Sequence, residues 1–205
     1  MDLSIENLNN LHLDVLQEIG NIGAGNAVTA LANMINKKVD MDVPSVKILN
    51  FSDISAILGG EEIVVSGVYF GITGDIEGNI MFLLDIESAK TLINILMGRD
   101  NKTEILDEMD KSALQEIGNI LSGAYISSLS SLTGLDIKIS VPSLCIDMAG
   151  AILSVPAIQF GHTGDKVLLV ETVLQDGDNM VTGNFLLIPE TSSFPTLLNS
   201  LGVYI

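Results

Sequence analysis

The sequence predicts a mixed α/β fold of the α+β kind, a pseudo-two-fold symmetric duplication with about six strands in a shared sheet, two long helices and several shorter ones. Three observations carry this. The hexapeptide QEIGNI occurs at residues 17–22 and again at 115–120. Glu18, Gly20 and Asn21 therefore recur as Glu116, Gly118 and Asn119, and Pro44 recurs as Pro142, all at an offset of 98 residues, 116 minus 18. Each copy of the hexapeptide lies in a long stretch of helical periodicity, followed by β-rich runs and a closing amphipathic run that ends in Gly.

Residues 10–36 place Leu13, Leu16, Ile19, Gly23, Ala27, Ala30 and Met34 at three- and four-residue steps, the signature of an amphipathic helix. Residues 107–133 repeat it with Met109, Ala113, Ile117, Ile120, Ala124 and Leu132. Strand-like runs follow at 43–50, 62–72 and 76–85, then at 141–146, 166–175 and 180–189. GGEE (59–62), TGD (73–75) and DGDN (176–179) supply turns between them, and GRDNKTE (98–104) is the linker between repeats. The runs SAKTLINILMG (88–98) and SSFPTLLNSLG (192–202) close the halves as short helices stopped by Gly. GNIMFLL (78–84) aligns with GNFLLIP (183–189) at an offset of 105, so the second half has gained about seven residues. The expectation is one domain over 1–205 made of repeats at about 10–98 and 107–202. Three short strands per half cannot stand alone, which calls for a common sheet.

With 205 residues the chain can bury one substantial core or two half-size units sharing one. Nine Lys and Arg against 26 Asp and Glu give a net charge of −17, which argues against nucleic acid or anionic lipid as a partner. The single Cys145 excludes an internal disulfide, and the acidic start MDLSIENLNN lacks the basic, then apolar, pattern of a secretion signal; both point to the cytoplasm. SLCIDMAGAILSVPAIQF (143–160) approaches spanning length, but Asp147 and Pro156 interrupt it, so it reads as buried strand and short helix.

Residues at i, i+4 and i+7 share a helix stripe, so Asp14, Glu18 and Asn21 point one way, as do Ser112, Glu116 and Asn119. Gly25 and Thr29, and Gly123 and Ser127, extend these stripes. An isolated Glu or Asn here would be a solvated surface group, and an isolated Gly a packing device. Their joint repetition is different, because symmetry of the fold would preserve the apolar stripe without needing the polar one. GNIGAGNA (20–27) has the wrong glycine order and no preceding strand for a dinucleotide site, and the chain has no phosphate-loop lysine. One Cys with His12 and His162 supplies neither a zinc site nor a nucleophilic triad.

The pattern [Asp/Ser]-x3-Glu-x2-Asn-x22-Pro, present as Asp14, Glu18, Asn21, Pro44 and as Ser112, Glu116, Asn119, Pro142, resembles the CheC family of bacterial and archaeal chemotaxis phosphatases, which includes CheX and FliY. The resemblance covers essentially the whole chain. It implies dephosphorylation of the response regulator CheY at its phospho-aspartate, with Asn21 and Asn119 positioning water and Glu18 and Glu116 as docking or orienting carboxylates, for which the regulator's active-site lysine is the candidate partner on grounds of charge. It implies no cofactor of the chain's own, the Mg²⁺ being carried by the regulator. Pro44 and Pro142 read as architectural openings of the first strand in each half. The segment CIDMAGAIL (145–153) resembles the helix through which CheC proteins bind the receptor deamidase CheD, with Asp147 as a contact; a buried apolar turn with a capping Asp is the alternative. Its first-half counterpart, ILNFSDISAIL (48–58), shares little with it. Two motifs in one chain, with no flagellar-switch domain after Ile205, lead us to expect a CheC-branch monomer. A non-enzymatic adaptor that holds CheD is the competing function.

Overall fold

The structure, a computed structural model, describes residues 10–35, 40–41, 45–99, 104–160, 166–176, 179–190 and 192–202. In chain order the first half contributes α1 (Asn10–Ile35), β1 (Asp40–Met41), β2 (Ser45–Asn50), a 3-10 turn (Phe51–Asp53), α2 (Ile54–Ile57), β3 (Val64–Gly74), β4 (Gly78–Asp85) and α3 (Ile86–Met97). The second contributes α4 (Glu108–Thr133), β5 (Ile137–Ile139), β6 (Ser143–Met148), α5 (Ala149–Phe160), β7 (Lys166–Asp176), β8 (Asn179–Pro189) and α6 (Ser193–Ser200). The mixed α/β class read from the sequence holds.

All strands pair antiparallel in one sheet of order β1-β7-β8-β4-β3-β5, with β2 also on β7 and β6 also on β3. The sheet has eight strands, the six expected together with the two-residue β1 and three-residue β5, which add to each outer edge. Such short pieces carry no alternation of their own. The centre is β4 against β8, one strand from each half, with Phe82 opposite Phe185 and their rings 4.7 Å apart. The outer strands cross over: β2 of the first half lies on β7, and β6 of the second lies on β3.

Both faces of the central strands are covered. On one, Val68, Phe70, Ile80, Phe82, Leu168, Val170, Phe185 and Leu187 pack with the buried stripes of α1, α4, α3 and α6. On the other, Val65, Met81, Leu83, Leu169, Leu186 and Ile188 pack with Ile54 of α2 and Ala149, Ile152 and Leu153 of α5. Burial on both sides explains the continuous apolar run IMFLL in β4, where a half-exposed strand would alternate.

Two helix starts are fixed by local chemistry. Asp85 caps α3 by accepting from the backbone N–H of Glu87 and Ser88. Asp107 and Asp110 form a capping box at the start of α4, each carboxylate accepting from the other's backbone N–H. Gly98 and Gly134 end α3 and α4 in the left-handed conformation.

The 143–160 stretch is strand followed by short helix, as read, but its 145–153 segment is not the single helix that the CheD resemblance implies. Residues 143–148 complete β6, paired with β3, and the helix begins only at Ala149. Asp147 is therefore a strand residue, exposed and opposite Val65. The first-half counterpart, though it shares little sequence, matches in structure: β2 likewise runs into a short helical stretch, the 3-10 turn and α2, which packs on the same side of the sheet as α5. Among the described residues no helix is long and apolar enough to cross a membrane.

Candidate functional site

The two 26-residue helices α1 and α4 lie side by side on the sheet. Their contact is built from small groups against large ones. A Cβ added to Gly23 would stand 2.6 Å from the Tyr125 ring, so only glycine lets the helices approach here. Tyr125 in turn stacks on Phe185 of β8 at 5.9 Å. Asn26 Nδ2 donates to Ser128 Oγ at 2.8 Å across the pair.

This contact fixes where the motif residues face. Gly23 follows Asn21 by two residues, about 200° around the helix, and Ser128 follows Asn119 by nine, two and a half turns. Each asparagine thus points away from the partner helix. The two motif stripes lie on opposite outer flanks, α1 beside β2 and α4 beside β5 and β6.

Along each flank the carboxylates are accessible and the amides less so. Asp14, Glu18 and Thr29 are exposed on α1, and Ser112, Glu116 and Ser127 on α4, while Asn21 and Asn119 are half-buried. Neither Glu18 nor Glu116 is in an ion pair among the described residues. Asn21 Oδ1 is enclosed and finds no hydrogen-bond partner among them. Gly25 and Gly123 have open space where a Cβ would sit, leaving the stripe clear beyond each asparagine. Ile19 and Ile117 turn to the core.

The glycine inside the hexapeptide has a different task from opening the surface. Gly118 is buried, and an added Cβ would stand 2.7 Å from Val68 Cβ, so it lets α4 settle onto β3. Met109, placed by periodicity in the buried stripe, is 66% exposed and lies seven residues before Glu116 on the outer stripe.

Pro142 directly precedes β6 and is half-buried; Pro44 lies outside the described residues. The Pro142 carbonyl accepts a hydrogen bond from Gln115 Nε2 at 2.9 Å. This ties the motif's distant proline to the first residue of the hexapeptide, a role for Gln115 that sequence reading missed although the repeat contains it. Also missed was Arg99, the chain's one arginine, whose Nη1 stands 2.8 Å from Oδ1 of the buried Asp110. It joins the end of α3 to the start of α4. Among the described residues no three His, Cys, Asp or Glu side chains are placed to hold a metal ion.

An antiparallel sheet bearing two long helices is the fold of a class of chemotaxis and flagellar proteins. FliY from Thermotoga maritima superposes with a TM-score of 0.75 at 25% identity, covering 96% of this chain and 98% of that one. The structure of a CheX–CheY–BeF3–Mg²⁺ complex from Borrelia burgdorferi matches with a TM-score of 0.52 at 21% identity over 84% of this chain and 97% of that one, a likeness of fold. Residues 11–48 match the CheC-like family model and residues 65–160 that of the chemotaxis phosphatase CheX. The chain is 35% identical over 195 residues to the CheY-P phosphatase CheC of Bacillus subtilis, covering 93% of each. It belongs to the CheC family.

Proposed function

We propose that the chain is a phosphatase that hydrolyses the phospho-aspartate of the response regulator CheY, at two sites centred on Glu18 with Asn21 and Glu116 with Asn119. The observation that carries this is the pair of matching stripes, each with an accessible carboxylate three residues before a half-buried amide on an outer helix flank. The family relative from B. subtilis is named a CheY-P phosphatase, which supports the same reading.

The chemistry asks little of such a site. An acyl phosphate is reactive, and the Mg²⁺ that neutralises it belongs to the regulator in this reading, so the phosphatase has to place a water in line with phosphorus. The water oxygen bonds to phosphorus, the P–O bond to the aspartyl carboxylate breaks, and aspartate and inorganic phosphate result. Asn21 or Asn119 holds the water by hydrogen bonding; an amide does not act as a base. Glu18 or Glu116 would be repelled by the phosphoryl group unless it met a cation, and the regulator's active-site lysine is that partner, through a charge-assisted hydrogen bond of about 1.5–3 kcal/mol.

The test is release of phosphate from phosphorylated CheY. Asn21→Ala and Asn119→Ala should each remove one site's share of turnover, and the double variant should lose about 100-fold or more. Full activity in the double variant would refute the assignment.

A second reading coexists with this one: binding of the deamidase CheD around α5. Val155 and the 81% exposed Ile158 stand out from α5, and Met148 is exposed beside Asp147 at the end of β6. Asp147 accepts from the backbone N–H of Met148, which leaves its second oxygen for a partner. Asp147→Lys should weaken CheD affinity in a calorimetric titration; unchanged affinity would move CheD elsewhere.

A further inference from the structure

We infer that the segment Ser140–Val141–Pro142 is a docking ledge for the response regulator at the Glu116/Asn119 site, with Val141 its contact and Gln115 the residue that positions it. This rests on the phosphatase reading above and adds a binding element that the Glu/Asn motif does not contain.

The segment interrupts the edge of the sheet between β5 and β6, both of which pair with β3. It is held on two sides. Toward the sheet, the Ser140 N–H donates to the Gly71 carbonyl at 2.9 Å and the Gly71 N–H donates to Ser140 Oγ at 3.0 Å. Toward the helix, Gln115 Nε2 donates to the Pro142 carbonyl at 2.9 Å. Between these anchors Val141 is 85% exposed. An exposed valine on a loose loop would be unremarkable, since single surface apolar groups are common. Here the backbone on either side is fixed, so the side chain is presented in one place.

That place borders the motif. Gly134 turns the end of α4 back into β5, so α4 and the β5–β6 edge run in opposite directions. From the Gln115–Pro142 bond, one further turn of α4, about 6 Å, reaches Asn119. Two residues back along the edge, about the same distance, reach Ser140. Val141 therefore stands level with the stretch from Gln115 to Asn119, on the flank that carries the amide. A regulator seated with its phospho-aspartate at Asn119 would meet Val141 at the edge of that contact, and a fixed apolar group there gives area at little ordering cost.

The experiment measures steady-state hydrolysis of phosphorylated CheY in single-site backgrounds. With Asn21→Ala, only the second site reports. Adding Val141→Asp there should raise KM about fivefold, the size of one ordinary interface contact, with kcat kept. Gln115→Glu, which keeps the shape and removes the donor, should raise KM in the same direction. Unchanged KM for Val141→Asp overturns the ledge, and so does a fall in kcat alone. An equal rise in the Asn119→Ala background, where only the first site reports, also overturns it. Val141 lies in no core, so loss of folding does not confuse the result. Full activity in the Asn21→Ala, Asn119→Ala double variant would instead sink the underlying phosphatase reading, a distinguishable failure.

Discussion

At the scale of residues, three glycines on α4 and α1 do different physical work, and substitution separates them. Gly123→Ala meets open space and should raise stability by about 0.5–1 kcal/mol through helix propensity alone, read from the urea midpoint. Gly118→Ala meets Val68 and should lower it by about 1–3 kcal/mol through overpacking. Gly23 stands against the Tyr125 ring, and that ring has its own consequence. Its hydroxyl is buried with no partner among the described residues, and burial raises its pKa far above the usual ~10. The folded state thus keeps the proton where the unfolded chain gives it up, so Tyr125 contributes stability below about pH 10 that is lost as pH rises further. Tyr125→Phe should leave the neutral-pH melting temperature unchanged or higher and flatten its alkaline decline. A steeper decline in the variant would contradict this. Such residue roles were partly legible beforehand. Doubling exposed Glu18, Asn21, Glu116 and Asn119, whereas Gly118 and Gln115 depend on Val68 and Pro142, partners distant in sequence that no local pattern names.

Elements were more readable than their contacts. The long helices and the main strands follow from apolar periodicity and fall within a few residues of the expected limits. What escaped has physical reasons: β1 and β5 are too short for a period, and α5 is apolar almost all round, with Pro156 inside it, so neither helical amphipathicity nor capping announces its start. The CheD-binding expectation inherited that ambiguity by placing Asp147 on a helix. Between elements, the Arg99 guanidinium clasps α3 to α4 through Asp110, whose side chain is 1% exposed. Arg99→Met would leave that carboxylate enclosed without its cation, at a cost of about 1.5–3 kcal/mol. The variant should melt lower, and because the lost contact is at the start of α4, amide exchange should accelerate first in its opening turns. Uniform acceleration over the whole chain would argue against a local clasp.

For the whole molecule, two properties dominate. A net charge of −17 makes the compact state self-repelling, so the melting temperature should rise between low salt and about 0.5 M NaCl, as screening shortens to a few ångströms. No rise would mean that the acidic groups are spaced widely enough not to interact. Strand pairing binds the halves to each other: β2 is held by β7 and β6 by β3 toward the edges, and β4 by β8 at the centre. The outward aim of the two motif stripes has a different consequence. In the proposed two-site reading, regulators approaching from opposite flanks would not shadow each other, so occupancy of one flank would leave the other open to collision. The throughput of such a molecule would be a sum over two independent ports, and neither port would oblige the other to match it residue for residue, as the difference between Asp14 and Ser112 illustrates.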